Sequence, residues 1–252
     1  MGATMISTTD GVAALGTILG VWAHPDDETY LSAGLMAAAV GNGQRVVVVS
    51  ATAGELGTDD PVTWPPARLA AVRRWEAGAA LSALGVTDHR WLDLPDGGLA
   101  DHDPAAGARR VAEIITEVAT DTILTFGADG MTGHPDHRAI SAWVTAAHGA
   151  VGRGARLLHA TLEADYCERY RALHARFDVF LDPALPSTHR RSELAVHLQL
   201  KGPLLDRKLV ALRAQATQTQ PVIDAFGLPE YECWVADEAF VDAPRDQGYR
   251  NA

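Results

Sequence analysis

The sequence predicts an α/β fold built on a doubly wound, mostly parallel sheet flanked by helices. Short apolar runs alternate with longer helix-period segments between about residues 17 and 162. One run, Arg45–Thr52 (RVVVVSAT), is β-branched without alternation, the pattern of a strand covered on both faces. The helical segments also carry matching punctuation. Pro66, Pro104 and Pro135 suit first-turn positions, and Gly41, Gly85 and Gly149 suit stops.

The first strand is Thr17–Ala23 (TILGVWA). The apolar run 11–23 around it follows Asp10, has no basic flank and is too short to span a bilayer, so a buried strand explains it better than a signal peptide. A helix at about 28–40 comes next, then the 45–52 strand and a helix over 66–84. Trp91–Leu94 is a weaker strand, followed by a helix over 104–119, the strand Asp121–Phe126 (DTILTF), a helix over 135–149 and the strand Arg156–Leu162. Beyond residue 163 the alternation weakens. Pro203–Gln218 reads as a helix and Tyr231–Phe240 as a strand or hairpin, while Pro183, Pro186 and Ser187–Arg191 read as a loop. Residues 1–252 are expected to form one α/β domain, with a motif-bearing core at about 17–162 and a variable part at about 163–252.

Composition narrows the function classes. Of 252 residues, 47% are hydrophobic and 21% charged, which excludes a disordered chain. With 32 acidic and 21 basic residues the net charge is −11, opposite in sign to a nucleic-acid-binding surface. Cys167 and Cys233 stand far apart and can form neither a thiolate zinc site nor a disulfide framework, so a cytoplasmic setting is expected. No segment reads as a membrane helix, a heptad array or a repeat.

Two clusters carry chemistry. His24-Pro25-Asp26-Asp27-Glu28 directly follows the first strand and opens a helix. Gly133-His134-Pro135-Asp136-His137 follows DTILTF through a Gly-rich loop and opens another. In an open α/β sheet, ligands bind outside the carboxyl ends of the strands. A catalytic zinc site takes about three His or carboxylate ligands and keeps a position open. His24, one carboxylate of the first cluster and one histidine of the second supply such a set; His24 and Asp27 are three apart, as are His134 and His137. Asp26, beside the ligand pair, suits a general base. His134 suits an oxyanion or leaving-group partner, with Asp136 to orient it. Acidic residues in a first helical turn are also favoured by capping and by the helix dipole. That bland account covers either cluster alone, but not both at equivalent turns.

The paired motifs HPDDE and GHPDH resemble those of the PIG-L/LmbE-like zinc-dependent N-deacetylases. Thr52–Gly57 (TAGELG), Arg73–Glu76 followed by Leu84-Gly85-Val86, and Leu94–Gly97 (LPDG) are similar to further segments of that family, so the likeness covers about residues 17–145. It implies a Rossmann-like sheet and a Zn2+ cofactor, or another divalent metal, held by His24, Asp27 and His137. It implies Asp26 as base, His134 as the histidine assisting the tetrahedral intermediate with Asp136 as its neighbour, and Arg73 and Asp96 as substrate contacts. The implied partner is a small molecule of the N-acetylglucosamine type, and a homo-oligomer is a further expectation.

Two positions depart from the family pattern. Thr132 stands where some members place a tyrosine, and Gln215, in KLVALRAQATQ, stands where a late family segment has a histidine. The reading is therefore a zinc-dependent hydrolase removing an N-acetyl or N-acyl group from an amino sugar or glycoside-like molecule. The alternatives are an amidase of a larger thiol–sugar conjugate and a non-catalytic metal- or sugar-binding module. The other histidines are expected to be solvated or satisfied, and Trp64 and Trp75 to pack structurally.

Overall fold

The structure is a computed structural model that describes residues 5–152, 154–181, 184 and 186–244. A short 3-10 helix, Asp10–Leu15, leads into β1 (Ile18–Trp22), so the apolar run 11–23 divides between the two. Then come α1 (Asp27–Gly41), β2 (Val46–Ser50), α2 (Pro66–Leu84), β3 (Asp88–Trp91), α3 (Pro104–Val118), β4 (Thr122–Phe126), α4 (Pro135–Val151) and β5 (Arg156–Glu163). The last part holds α5 (Ala164–Arg169), α6 (Arg171–Arg176), β6 (Thr188–His189), β7 (Val196–Gln199), α7 (Pro203–Ala214), α8 (Ala216–Phe226), α9 (Leu228–Trp234) and β8 (Asp237–Asp242).

Among the described residues the sheet runs β3-β2-β1-β4-β5-β8-β7, with β6 beside β5. Its β3-to-β5 portion is parallel, and β8 runs antiparallel to both β5 and β7. The α/β, mostly parallel architecture is as the sequence predicts. Every residue of β1, β2 and β4 is buried, as expected of strands covered on both faces. Strand order reverses between β1 and β4, which makes the crevice at their carboxyl ends the switch point of the sheet. The HPDDE turn leaves β1 at that crevice, and the GHPDH turn follows β4.

Several boundaries differ from expectation. The third strand lies at Asp88–Trp91 rather than 91–94, because Asp93 turns left-handed (φ 56°); beyond Trp91 only scattered bonds from Leu92 and Leu94 continue toward β2. The helix predicted over 203–218 breaks at Gln215, and α8 continues through Pro221 to Phe226. The Leu212 carbonyl accepts the Gln215 N–H at 3.0 Å and the Thr219 Oγ1–H at 2.7 Å. Tyr231–Phe240 is the end of a helix followed by a strand, since Gly227 and Pro229 open α9. Gly85 caps α2 in the left-handed conformation (φ 82°) and Gly41 is the last residue of α1, whereas Gly149 lies inside α4, which runs on to Val151. Trp75 does not pack and is 84% exposed, while Trp64 lies under the Arg68 guanidinium. Pro183 lies outside the described residues. Cys167 and Cys233 are free thiols. No helix among the described residues is long and apolar enough to cross a membrane.

Candidate metal centre

The two βα turns meet. His24 Nδ1 lies 3.2 Å from His137 Nε2 and 3.7 Å from Asp27 Oδ2, and His137 Nε2 lies 3.4 Å from Asp27 Oδ1. Ligand atoms about 2.0–2.1 Å from a tetrahedral ion sit roughly 3.3 Å apart, so the spacing fits a single small dication. Ring chemistry fits as well. His137 Nδ1 is held at 2.9 Å by the Gly130 carbonyl, which fixes a tautomer with a free Nε2 lone pair. Phe126 stacks on that ring at 4.1 Å with 8° between the planes, which locks its orientation. His24 Nε2 faces Asp96 Oδ1 at 3.1 Å and Asp136 Oδ2 at 3.3 Å, which turns Nδ1 toward Asp27 and His137.

Two other groups also lie close enough to surround an ion: His24 with His134 and His137, and His24 with Asp96 and Asp136. Hydrogen bonding disfavours both. The Asp136 oxygens already accept from Gly97 N–H at 2.8 Å and Leu99 N–H at 3.0 Å. His134 is the N-cap of α4 and its Nδ1 accepts the Asp136 N–H at 3.2 Å. One of its nitrogens is thereby taken, and Nε2 carries the ring proton as a donor.

Charge at the centre follows from burial. Burial alone would lower His24, but Asp136, Asp96 and Asp27 outweigh it and hold the ring near a pKa of about 10. A field that strong also favours a divalent cation, whose binding displaces the proton. Burial and the neighbouring His24 charge depress His137 to about 3, and the same causes lower His134. Burial would raise Asp96, yet the His24 hydrogen bond and charge bring it to about 2. Asp136 stays below the usual carboxylate value against its burial, through His24 and the Gly97 and Leu99 N–H groups. Burial pushes Asp27 up.

Asp26 occupies the bend between β1 and α1 with φ 109°, a strained conformation for a residue with a side chain. Burial pushes its carboxyl up to about 7, against the Arg73 charge. Arg73 is only 4% exposed and belongs to the buried α2 stripe of Leu69, Ala77 and Leu81. It donates to the Pro25 carbonyl, to the Gly54 carbonyl at 2.7 Å and to Asp26 Oδ2 at 3.1 Å. Gly54 has φ +65°, and a Cβ there would sit 2.1 Å from Arg73 Nη1, so only glycine leaves room for the guanidinium. Asp96 likewise faces inward: Leu56 N–H donates to it at 2.8 Å, and Asp96 N–H donates to Glu55.

Glu28 and Gln215 complete the site, and the sequence singled out neither for the centre. Glu28 is 1% exposed and accepts the Asp26 N–H at 3.0 Å and the Gln215 Nε2–H at 2.9 Å. Burial, then the Asp26 charge, raise its pKa to about 7. Its place in HPDDE was visible, but its link to residue 215 depends on how α7 ends. Thr132 Oγ1 lies 3.3 Å from His137 Nδ1.

Fold and site together define a Rossmann-like α/β protein with a candidate metal-binding group at its switch point. The chain belongs to the PIG-L family: the family model described as GlcNAc-PI de-N-acetylase matches residues 19–148, about half of its length. It is 33% identical over 234 residues to the 1D-myo-inositol 2-acetamido-2-deoxy-alpha-D-glucopyranoside deacetylase 2 of Catenulispora acidiphila, covering 83% of this chain and 74% of that one. The deacetylase of that name from Kineococcus radiotolerans is 38% identical over 168 residues, which span 55% of this chain and 46% of that one. The match thus covers less than half of that relative. Among solved structures, the N,N'-diacetylchitobiose deacetylase of Pyrococcus horikoshii has a TM-score of 0.61 at 20% identity, covering 90% of this chain and 84% of that one, a likeness of fold.

Proposed function

We propose that this protein is a zinc-dependent hydrolase that removes an N-acetyl or N-acyl group from an amino sugar or glycoside-like small molecule. The observation that carries the reading is the convergence of His24 Nδ1, Asp27 and His137 Nε2 within 3.7 Å of one another, with the Asp26 carboxylate one residue away. The names of the sequence relatives, deacetylases of an inositol 2-acetamido-2-deoxy-glucopyranoside, support the amino-sugar amide as substrate class.

His24, Asp27 and His137 would hold the ion. When bound, zinc supplies Lewis acidity, which polarises an amide carbonyl and makes water more acidic near neutral pH. Asp26 accepts the proton of the attacking water. The strained bend and the Arg73 contact fix where its carboxylate sits. The His134 Nε2–H donates to the oxygen on which negative charge develops. As the C–N bond breaks, the proton held on Asp26 passes to the departing nitrogen, giving an amine and a carboxylate. Asp136 orients the His24 ring and, through its backbone N–H, the His134 ring. Arg73, engaged by two carbonyls and Asp26, acts through Asp26 instead of reaching for substrate. The free thiols of Cys167 and Cys233 are in keeping with a reducing cytoplasm.

The test is release of free acetate from a panel of N-acetylglucosamine compounds, with and without a chelator. Chelator-sensitive release, reduced by orders of magnitude in Asp26→Ala with zinc still bound, is the expected result. Zinc binding without hydrolysis of any compound would instead show a binding module.

A further inference from the structure

The polar faces of the centre carry Asp96 and Asp136, but its other side opens into a chamber of different character. A cavity of about 330 Å³ begins at Asp26, Asp27 and His137 and is walled largely by Tyr30, Phe126, Met131, Tyr166, Val222 and Trp234. That volume is the space of roughly ten water molecules, far more than an acetyl group needs.

The aromatic tips on this wall are engaged by other protein groups. Tyr231 Oη donates to Tyr30 Oη at 3.0 Å, and Tyr166 Oη donates to the Trp234 carbonyl at 2.6 Å. Trp234 Nε1 donates to His174 Nε2 at 3.1 Å, and His197 holds Asp237 at 2.9 Å. Ring faces and methyl groups are therefore most of what the walls offer a ligand, with Thr132 and Gln218 as the polar exceptions at the lining. A sugar or inositol ring placed here would leave most of its hydroxyls without partners, a cost of order 1–3 kcal/mol for each one buried unpaired. The mismatch is one of chemistry, not of size.

Building on the deacylase reading above, we propose that this chamber is an apolar subsite for the substrate. It takes an alkyl or aryl substituent attached to the amino sugar, while the sugar itself stays on the polar side of the centre. The shared chemistry is a hydrocarbon group of several carbons, carried either as the N-acyl chain or as the aglycone.

The test uses the zinc-loaded full chain and two series of glucosaminides. One varies the N-acyl group from acetyl through butanoyl and hexanoyl to octanoyl on a methyl glycoside; the other keeps N-acetyl and varies the aglycone from methyl to phenyl and octyl. In the series that matches the subsite, kcat/KM is expected to rise roughly threefold per added methylene until the chamber is full. Val222→Asp is expected to flatten that slope, read as the ratio of long to short substrates within the variant. Hydrolysis that is fastest on N-acetyl methyl glycoside in both series overturns the inference and leaves the deacylase reading standing. If no compound is hydrolysed, the deacylase reading fails and the subsite is judged by calorimetric binding of N-octanoyl- against N-acetyl-glucosamine. Tighter binding of the octanoyl compound by at least tenfold, lost in Val222→Asp, supports the subsite, and equal or weaker binding overturns it.

Discussion

Arg73 Nη2 sits 3.1 Å from Asp26 Oδ2, and the same guanidinium donates to the Pro25 carbonyl at the bend between β1 and α1 and to the Gly54 carbonyl in the loop after β2. The contact joins a residue of α2 to one of strained conformation at the head of α1. Arg73→Met removes the cation beside Asp26, the proposed base, without replacing His24, Asp27 or His137. Turnover is expected to fall about 10²-fold, within the usual range for a misplaced general base, with zinc content unchanged. Arg73→Lys should restore part of the loss, and Gly54→Ala should mimic it by crowding Nη1. Zinc analysis alongside kcat checks this; unchanged kcat in Arg73→Met would reduce the arginine to packing.

Metal occupancy separates ligands from base. An ion bound only by the folded chain stabilises it by about 4 kcal/mol when its free concentration exceeds Kd a thousandfold. Zinc should therefore raise the melting temperature of the wild type and of Asp26→Asn. It should leave Asp27→Ala and His137→Ala unmoved, since each lacks one corner of the set. Thermal melts with zinc and with chelator read this directly. A full zinc response in Asp27→Ala sinks the assignment.

Behind the site, Lys208 and Glu238 form an ion pair at 2.8 Å with both side chains wholly buried. Glu238 accepts from the N–H groups of Gly34 and Leu35, and Lys208 donates to the Tyr30 carbonyl at 2.6 Å. The pair thus stands in for a helical bond in the middle of α1 and ties that helix to α7 and β8. Removing one partner strands a buried charge, so Lys208→Met is expected to destabilise by about 3–5 kcal/mol. Adding Glu238→Gln should cost less than the sum of the two single changes. Urea unfolding of the double-mutant cycle measures the coupling, and strict additivity would mean the two charges do not support each other.

Much of this was legible in the chain, for identifiable reasons. The valine run of β2 and the proline-opened helices obey local rules, so their types and near-boundaries follow from sequence. The HPDDE and GHPDH turns fall at strand ends, so the switch point could be expected to join them. Arg73 was less legible. The family resemblance implied a substrate contact for it, although its place on the stripe with Leu69 and Ala77 signals burial. The third of the chain after residue 163 was hardest, because its elements are set by distant contacts. Gln215 breaks a helix while its side chain bonds Glu28, and β8 enters the sheet antiparallel beside β5. Neither leaves a periodic trace.

Acid should weaken the fold partly through His89. Its Nε2 lies 3.0 Å from Ser50 Oγ and its ring packs beside Trp91. Burial, assisted by the Arg74 charge, depresses its pKa from 6.5 to about 4. Between those values the unfolded chain binds a proton that the folded chain refuses, so stability rises with pH across this window. The contribution is fully present above pH 6.5 and is lost as pH falls toward 4. At pH 5 the loss is on the order of 1–2 kcal/mol, from about 1.4 kcal/mol for each pH unit of differential titration, reduced for the ring's partial exposure. His89→Gln cannot take up the proton yet keeps a hydrogen-bonding group for Ser50. Unfolding free energies of wild type and variant at pH 7.5, 6 and 5 should converge as pH falls, with the wild type losing more. Parallel curves would show that His89 does not titrate against folding.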